Sequence, residues 1–362
     1  MKLLEKVIKP EIQQLYRMKD TFDDRFDYLR LDKNERLLPF EEKWFDLFKK
    51  QIQSEHLTGY PELGPLYRKL ANYLHVSENQ ILLASGSDLA IKSIYEACIQ
   101  PGDNIVLPLP SYAMIRVYAE MFKAETRVVS INQSWQVDIK MLLKQVDEKT
   151  KMVVLENPSG SIGTKPHVDQ IEACASELHK KNVLLLLDEA YYYVDNKTCQ
   201  SHQWIEKYPN LLISQSFSKA HGLAGLRIGY LIGHDSLISS ISGVRPMHEI
   251  SSFTAYATEW VLDHPEILHS HQELIKKSKE YLKVQLKKLE IPYQDTAANF
   301  LMLYLPNEGK TLEITKLLKE EKILIRSPFE EPSLRGWARV TIGSLSDSEH
   351  FIQTLSHLLQ TN

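Results

Sequence analysis

Glycine is scarce in this chain. There are 14 in 362 residues, against a usual share of ~7 %, which excludes collagen-like and Gly-rich low-complexity architectures. Where several glycines cluster against so poor a background, backbone geometry is the reason to keep them. Cysteine is scarcer still. Cys98, Cys174 and Cys199 stand far apart, their number is odd and no CxxC pair occurs. Neither a disulfide framework nor a Cys-rich zinc site is indicated, and all three read as reduced thiols. Neither sign of charge dominates: Lys+Arg number 43, Asp+Glu 47, and the net charge is -4. Without a basic tail or stripe, no nucleic-acid partner is expected. Long apolar runs are missing too, and stretches such as Val183–Leu187 fall far below the ~20 residues of a membrane span. The opening MKLLEKVIKPEIQQLYRMKD carries charges through its apolar stretch and lacks a signal-peptide core. The expectation is a cytoplasmic protein with no membrane partner. His264, His269 and His271 lie close together but without HExxH-type spacing, so they read as a solvated helix face and no metal is expected.

What is present is an alternation of short apolar runs and helical patterns. The runs are Gln80–Leu83, Asn104–Leu107, Arg127–Ile131, Met152–Leu155, Val183–Leu187, Leu211–Ser214 and Leu226–Ile232. Several are apolar throughout, as strands covered on both faces are. Between the first two, Ala90, Ile91, Ile94, Tyr95 and Cys98 recur at helical spacing. This predicts an α/β fold with a largely parallel, doubly wound sheet over residues 46–264. Past Pro265 the pattern changes to a long helix at 266–289, runs at Asn299–Leu305, Ile323–Arg326 and Trp337–Ile342, and helices near 312–320 and from Ser346. That reads as a smaller α+β domain, formed by 265–362 with 1–45.

In doubly wound sheets ligands bind at the carboxyl ends of the strands, and four such ends carry polar groups. Val183–Leu187 delivers Asp188, either a buried carboxylate needing a cationic or N–H partner or a helix N-cap. Leu211–Ser214 runs into Ser216-Phe217-Ser218-Lys219, where two hydroxyls and an amine make a plausible anion site, the lysine acting as counter-charge or nucleophile. Met152–Leu155 leads to Asn157-Pro158-Ser159-Gly160-Ser161-Ile162-Gly163, also readable as a surface turn. The fourth is the helix start at Ser85–Asp88, whose free N–H groups suit a phosphate. Neither a P-loop nor a GxGxxG fingerprint occurs. Together the four ends suggest a phosphorylated cofactor that also needs a lysine and a carboxylate, which pyridoxal phosphate (PLP) does.

SFSKAHGLAGLRIGY at 216–230 and LLLLDEAYYYV at 184–194 resemble the fold-type I PLP enzymes, class I/II aminotransferases, and within them the histidinol-phosphate aminotransferase branch. The likeness runs from about Leu31 to Gly343. It implies that Lys219 forms the Schiff base with PLP and moves the substrate proton, that Asp188 pairs with the pyridinium nitrogen, and that Tyr191 donates to ring O3′. It implies that Ser216, Ser218 and Arg227 hold the phosphate, with N–H groups of Ser87 and Asp88, while Tyr112 stacks on the ring. Arg339 corresponds to the arginine that grips a substrate carboxylate, and Asn34 falls near the family's substrate segment. Tyr60 matches a tyrosine that reaches the neighbouring subunit's phosphate, so a homodimer is implied. One departure stands out: Gly160 occupies the place of a cofactor-contacting Asn, so a hydrogen bond to O3′ is lost there. Tyr191 alone, Ser159, Ser161 or a water then serves O3′. The resemblance implies transamination between an amino acid or amine and an oxo acid or aldehyde. Decarboxylation of a phosphorylated amino acid on the same fold is the alternative, and a non-catalytic ligand-sensing domain is a third reading. The segment Asn34-Glu35-Arg36-Leu37-Leu38-Pro39 also departs from the family pattern, which leaves the substrate open.

Overall fold

In the computed structural model, which describes residues 6–13, 15, 24–194, 201–305 and 307–361, strands form on the apolar runs. In chain order they are β1 (Leu29–Leu31), β2 (Ile81–Ala84), β3 (Asn104–Leu109), β4 (Glu125–Ser130), β5 (Thr150–Glu156) and β6 (Leu184–Asp188). β7 (Leu211–Ser216), β8 (Gly229–Gly233), β9 (Tyr293–Gln294), β10 (Phe300–Tyr304), β11 (Ile323–Ile325) and β12 (Trp337–Thr341) follow. Cys199 lies outside the described residues.

Strands β2 to β8 form one sheet in the order β2-β8-β7-β6-β5-β3-β4. Pairings from β4 through β7 are parallel. β8 runs against both its neighbours, so the sheet is mainly parallel rather than parallel throughout. The expected strand at 226–232 also starts later. Leu226 ends a 3-10 turn, and Arg227 adopts a left-handed conformation (φ 52°) before the chain straightens at Gly229.

Alternation along the buried strands explains the two layers of helices. Val153, Leu155, Leu185, Leu187, Leu211 and Ile213 face one cluster, which includes Leu66 and Leu70 of the helix Gly64–Leu74 and Ile171 and Leu178 of the helix Val168–Lys180. Their neighbours Met152, Val154, Leu186 and Leu212 face the other, with Ile91, Ile94 and Tyr95 of the helix Gly86–Cys98. A period of two assigns successive residues to opposite faces. With both faces covered, every position can be apolar, as these strands are.

A third cluster joins Phe300, Met302, Ile314, Leu318, Ile323 and Phe351. It is built on β10, paired antiparallel with β9 and β12, and on the parallel pair β1–β11. Ile162, Tyr191 and Ala220, from loops at the carboxyl ends of the large sheet, belong to this same cluster. The strand ends are therefore sandwiched between two cores. The N-terminal segment is split between them. Leu31 packs in the third cluster, whereas Phe40, Trp44, Leu47 and Phe48 pack on the first, with Phe48 5.1 Å from the Trp260 ring. The expected boundary at 45/46 cuts the helix Glu42–Gln51. Its apolar stripe belongs with the large sheet, so the chain crosses from one core to the other before residue 40.

Candidate active site

The carboxyl ends of β5, β6 and β7 open into a cavity of about 460 Å³. One end of it is an anion cradle. Gly86 opens its helix at φ +84°, and a Cβ there would come within 2.6 Å of Arg227 Nη2. A Cβ on Gly229 would lie 2.3 Å from the Ser87 amide nitrogen. Only glycine allows this approach of helix start, β8 and guanidinium. Arg227 Nη1 reaches Ser218 Oγ at 3.5 Å, and the Ser218 N–H donates to Ser216 Oγ at 3.1 Å. Helix N–H groups, hydroxyls and a guanidinium thus converge on one point, as phosphate binding requires.

Asp188 ends β6 in the cavity wall and is 6 % exposed. Its Oδ1 accepts from the Ala190 N–H (3.1 Å) and Ser214 Oγ (3.4 Å). No cation pairs with it among the described residues. Burial, reinforced by the neighbouring carboxylate of Glu156, pushes its pKa up to about 7. Behind it Glu189 is also raised to about 7 by burial, against the hydrogen bonds it accepts from Gln215, Ser201 and Asn157.

Lys219 is half-buried. Its Nζ donates to the Lys33 carbonyl at 3.0 Å and lies 5.2 Å from the centre of the Tyr191 ring. Tyr191 packs edge-on against Phe300, and its hydroxyl accepts from Asn34 Nδ2 at 3.0 Å. Asn34 itself does not reach the cavity. It is fully buried at φ 54°, bonded to Thr341 Oγ1 through both its N–H and its Oδ1, and its carbonyl accepts from Asn299. The expectation of a substrate contact is replaced by a buried support beneath Tyr191.

Tyr112 lines the cavity with its hydroxyl on Asp88 Oδ1 (3.2 Å), which also receives the Tyr118 hydroxyl (2.9 Å). The Asp88 side chain is thereby committed to these two tyrosines. At Gly160 the structure gives the departure a reason: a Cβ would stand 2.8 Å from Tyr191 Cε2, so the Tyr191 ring takes the room a side chain would need. Ser159 is not among the residues lining the cavity, and its Oγ accepts from the Ser161 and Ile162 amides within the turn. Arg339 lines the opposite side. Its Nη1 donates to the Gly160 carbonyl (2.7 Å) and its Nη2 to the Asp32 carbonyl (3.2 Å), and its Nε is buried without a partner. Tyr60 lies apart, 84 % exposed and stacked on His248, in a separate cleft that also borders Arg227.

Among the lining residues missed in the sequence are Glu156, Arg116 and Arg326. Glu156 follows the apolar run Met152–Leu155 just as Asp188 follows Leu187, so the same signal was available. Arg116 pairs with Glu331 at 3.0 Å across the mouth. Arg326 is exposed, 6.0 Å from the Phe329 ring, and makes no ion pair among the described residues.

A family model described as aminotransferase class I and II matches residues 27–355. The chain belongs to the class I and II aminotransferases. It is 30 % identical over 310 residues to a histidinol-phosphate aminotransferase of Geobacillus thermodenitrificans, covering 84 % of each chain. It is 29 % identical over 303 residues to one from Christiangramia forsetii, covering 82 % of this chain and 84 % of that one. The fold matches a histidinol-phosphate aminotransferase of Sinorhizobium meliloti solved with pyridoxal-5′-phosphate, with a TM-score of 0.89, 21 % identity and 98 % of each chain covered. A Thermus thermophilus aspartate aminotransferase with maleate matches at 0.81, with 16 % identity, 97 % of this chain and 99 % of that one. The fold is that of the fold-type I PLP enzymes, and this aminotransferase is PLP-dependent. These relatives favour neither the decarboxylase nor the ligand-sensing alternative. The donor set fits the cofactor: a cradle that glycines keep open for an anion, and a buried carboxylate with no cation of its own, suited to a cationic ring nitrogen.

Proposed function

We propose that this aminotransferase exchanges an amino group between an amine bearing a distal anionic group and an oxo acid, with histidinol phosphate the first amine to test. The observation that carries this reading is Arg326, a guanidinium at the cavity mouth without an ion pair among the described residues. Arg339, the inner arginine, already donates to two carbonyls. A substrate with an anionic tail supplies what Arg326 lacks. The names of the relatives point the same way.

In this reading the cradle of Ser87, Ser216, Ser218 and Arg227, with the Asp88 amide, holds the PLP phosphate. Tyr112 would cover the ring, Asp188 would keep its nitrogen protonated, and the Tyr191 hydroxyl would donate a hydrogen bond to its phenolic oxygen. PLP, when bound, supplies an electron sink that makes the substrate α-proton removable. Lys219 would hold the cofactor until the substrate amine takes its place; its freed Nζ would then take that proton and return it at the adjacent carbon, while Arg339 would orient the substrate so that the bond to be broken faces Nζ. We further propose that the enzyme is a cytoplasmic homodimer whose Tyr60 reaches the partner's cradle, and that each subunit divides near residues 40 and 264. Among the described residues no helix is long and apolar enough to cross a membrane.

The test is a panel of donors and acceptors followed by the absorbance change of the half-reaction. Histidinol phosphate and other phosphorylated amines should convert the cofactor to its amine form at least ten-fold faster than uncharged analogues. Equal rates for amines with and without an anionic tail overturn the reading.

A further inference from the structure

Glu156 has no place in the machinery described so far, yet it is a buried carboxylate, 6 % exposed, in the wall of the cofactor cavity. Its register partner on the next strand is Asp188. Two carboxylates side by side repel, and no cation pairs with Glu156 among the described residues. Such a group is tolerated inside a protein only where hydrogen bonds offset the loss of water. Glu156 has two, both from backbone amides and both short. Oε1 accepts from the Tyr112 N–H at 2.5 Å and Oε2 from the Gly160 N–H at 2.7 Å.

Those two amides belong to different elements. Tyr112 caps the helix Ala113–Met121 beyond β3, while Gly160 lies in the turn beyond β5. The Gly160 carbonyl in turn receives Arg339 Nη1 at 2.7 Å. With no side chain at 160, that turn cannot anchor itself to the cavity through one. We infer that Glu156 is a positioning residue: one carboxylate clips the ring-bearing segment at Tyr112 to the Gly160 turn, and through the Gly160 carbonyl sets the direction of Arg339. Charge-assisted bonds to amides are shorter and roughly twice as strong as neutral ones, so the clip is stiff. It sets the spacing between the aromatic face over the cofactor and the arginine that faces the substrate. This inference needs PLP but not the substrate class proposed above.

Glu156→Gln tests it. The amide keeps the size of the side chain but offers one acceptor oxygen, so it holds only one of the two amides. PLP affinity, from titration of the cofactor-free protein, should weaken by about ten-fold, the scale of one lost charge-assisted bond. The visible circular dichroism of bound PLP, which reports how the ring is held, should lose at least half its amplitude while the unfolding temperature of the cofactor-free protein stays within a few degrees. KM for the amino donor should rise more than kcat falls, because Arg339 loses its direction. Unchanged affinity and dichroism overturn the proposal, as does a loss of stability with normal dichroism. If Glu156→Gln does not fold, hydrogen exchange of the wild-type protein decides: slow exchange at both Tyr112 and Gly160 supports the clip, and free exchange at either refutes it.

Discussion

At the scale of single residues, Lys219 and Gly160 make opposite demands. Lys219 stands at the end of β7 beside the cradle, with its Nζ 5.2 Å from the centre of the Tyr191 ring. Lys219→Ala should therefore abolish the borohydride-trapped link between chain and PLP and lower kcat by about 10³-fold or more, as read by mass spectrometry and steady-state rates. Gly160→Asn would look like a repair of the family pattern. It should not act as one, since its Cβ would meet Tyr191 Cε2 at 2.8 Å and displace the hydroxyl that Asn34 supports. The variant should bind PLP more weakly than the parent, checked by cofactor titration. Asp188 gives a pH prediction. The folded cofactor-free chain keeps the Asp188 proton up to about pH 7, the unfolded chain only to about 4. Stability from this group is full below the unfolded value and is lost as pH rises through about 7. Glu189 adds in the same direction. Urea unfolding of the cofactor-free protein should show stability falling by about 2–4 kcal/mol across that interval, with a shallower fall in Asp188→Asn.

Elements set how far these residues can be moved. The join between β8 and the helix Gly86–Cys98 is backbone against backbone at Gly229, where a Cβ would also sit 2.6 Å from the Gly86 carbonyl carbon. Gly229→Ala should cost about 1–3 kcal/mol through overpacking and weaken PLP binding together with stability, seen in paired thermal melts and cofactor titrations. Leu187→Ala, deep in the first core at 0 % exposure, should cost about 2–5 kcal/mol with a smaller effect on PLP affinity. Much of this level was legible in the sequence. β5, β6 and β7 could be read because coverage on both faces leaves them apolar, and the cradle because Ser216, Ser218 and Arg227 share one short segment. Three things were not. The reversal of β8 depends on the path of the connection rather than on its residues. Asn34 could not be distinguished from a pocket residue, since its partners Asn299 and Thr341 lie at the far end of the chain. Glu156 carried the same acid-after-apolar signal as Asp188, but its role resides in two backbone amides, and no residue type announces those.

At the scale of the whole molecule, the proposed dimer makes a prediction of its own. Tyr60 is exposed in a cleft that shares Arg227 with the cradle, as a residue awaiting a partner's site would be. If the active site is shared, chains carrying Lys219→Ala and chains carrying Tyr60→Ala should complement each other. Refolded as a mixture, they should recover about a quarter of wild-type activity, because half the dimers are mixed and one of their two sites is intact. No recovery, with mixed dimers shown to form by mass spectrometry, would argue for a site complete within one chain.

The contact between Asn34 and Thr341 joins positions 307 apart in sequence, and Arg339 closes onto the carbonyls of Asp32 and Gly160. During synthesis, then, the cradle and Lys219 leave the ribosome well before the strand that walls them in. A nascent chain that has passed residue 227 contains the cradle residues and the Lys219 amine, but neither Arg339 nor the lock on Asn34. On the role proposed for Arg339, selectivity for the amino donor is the last property of the site to arrive.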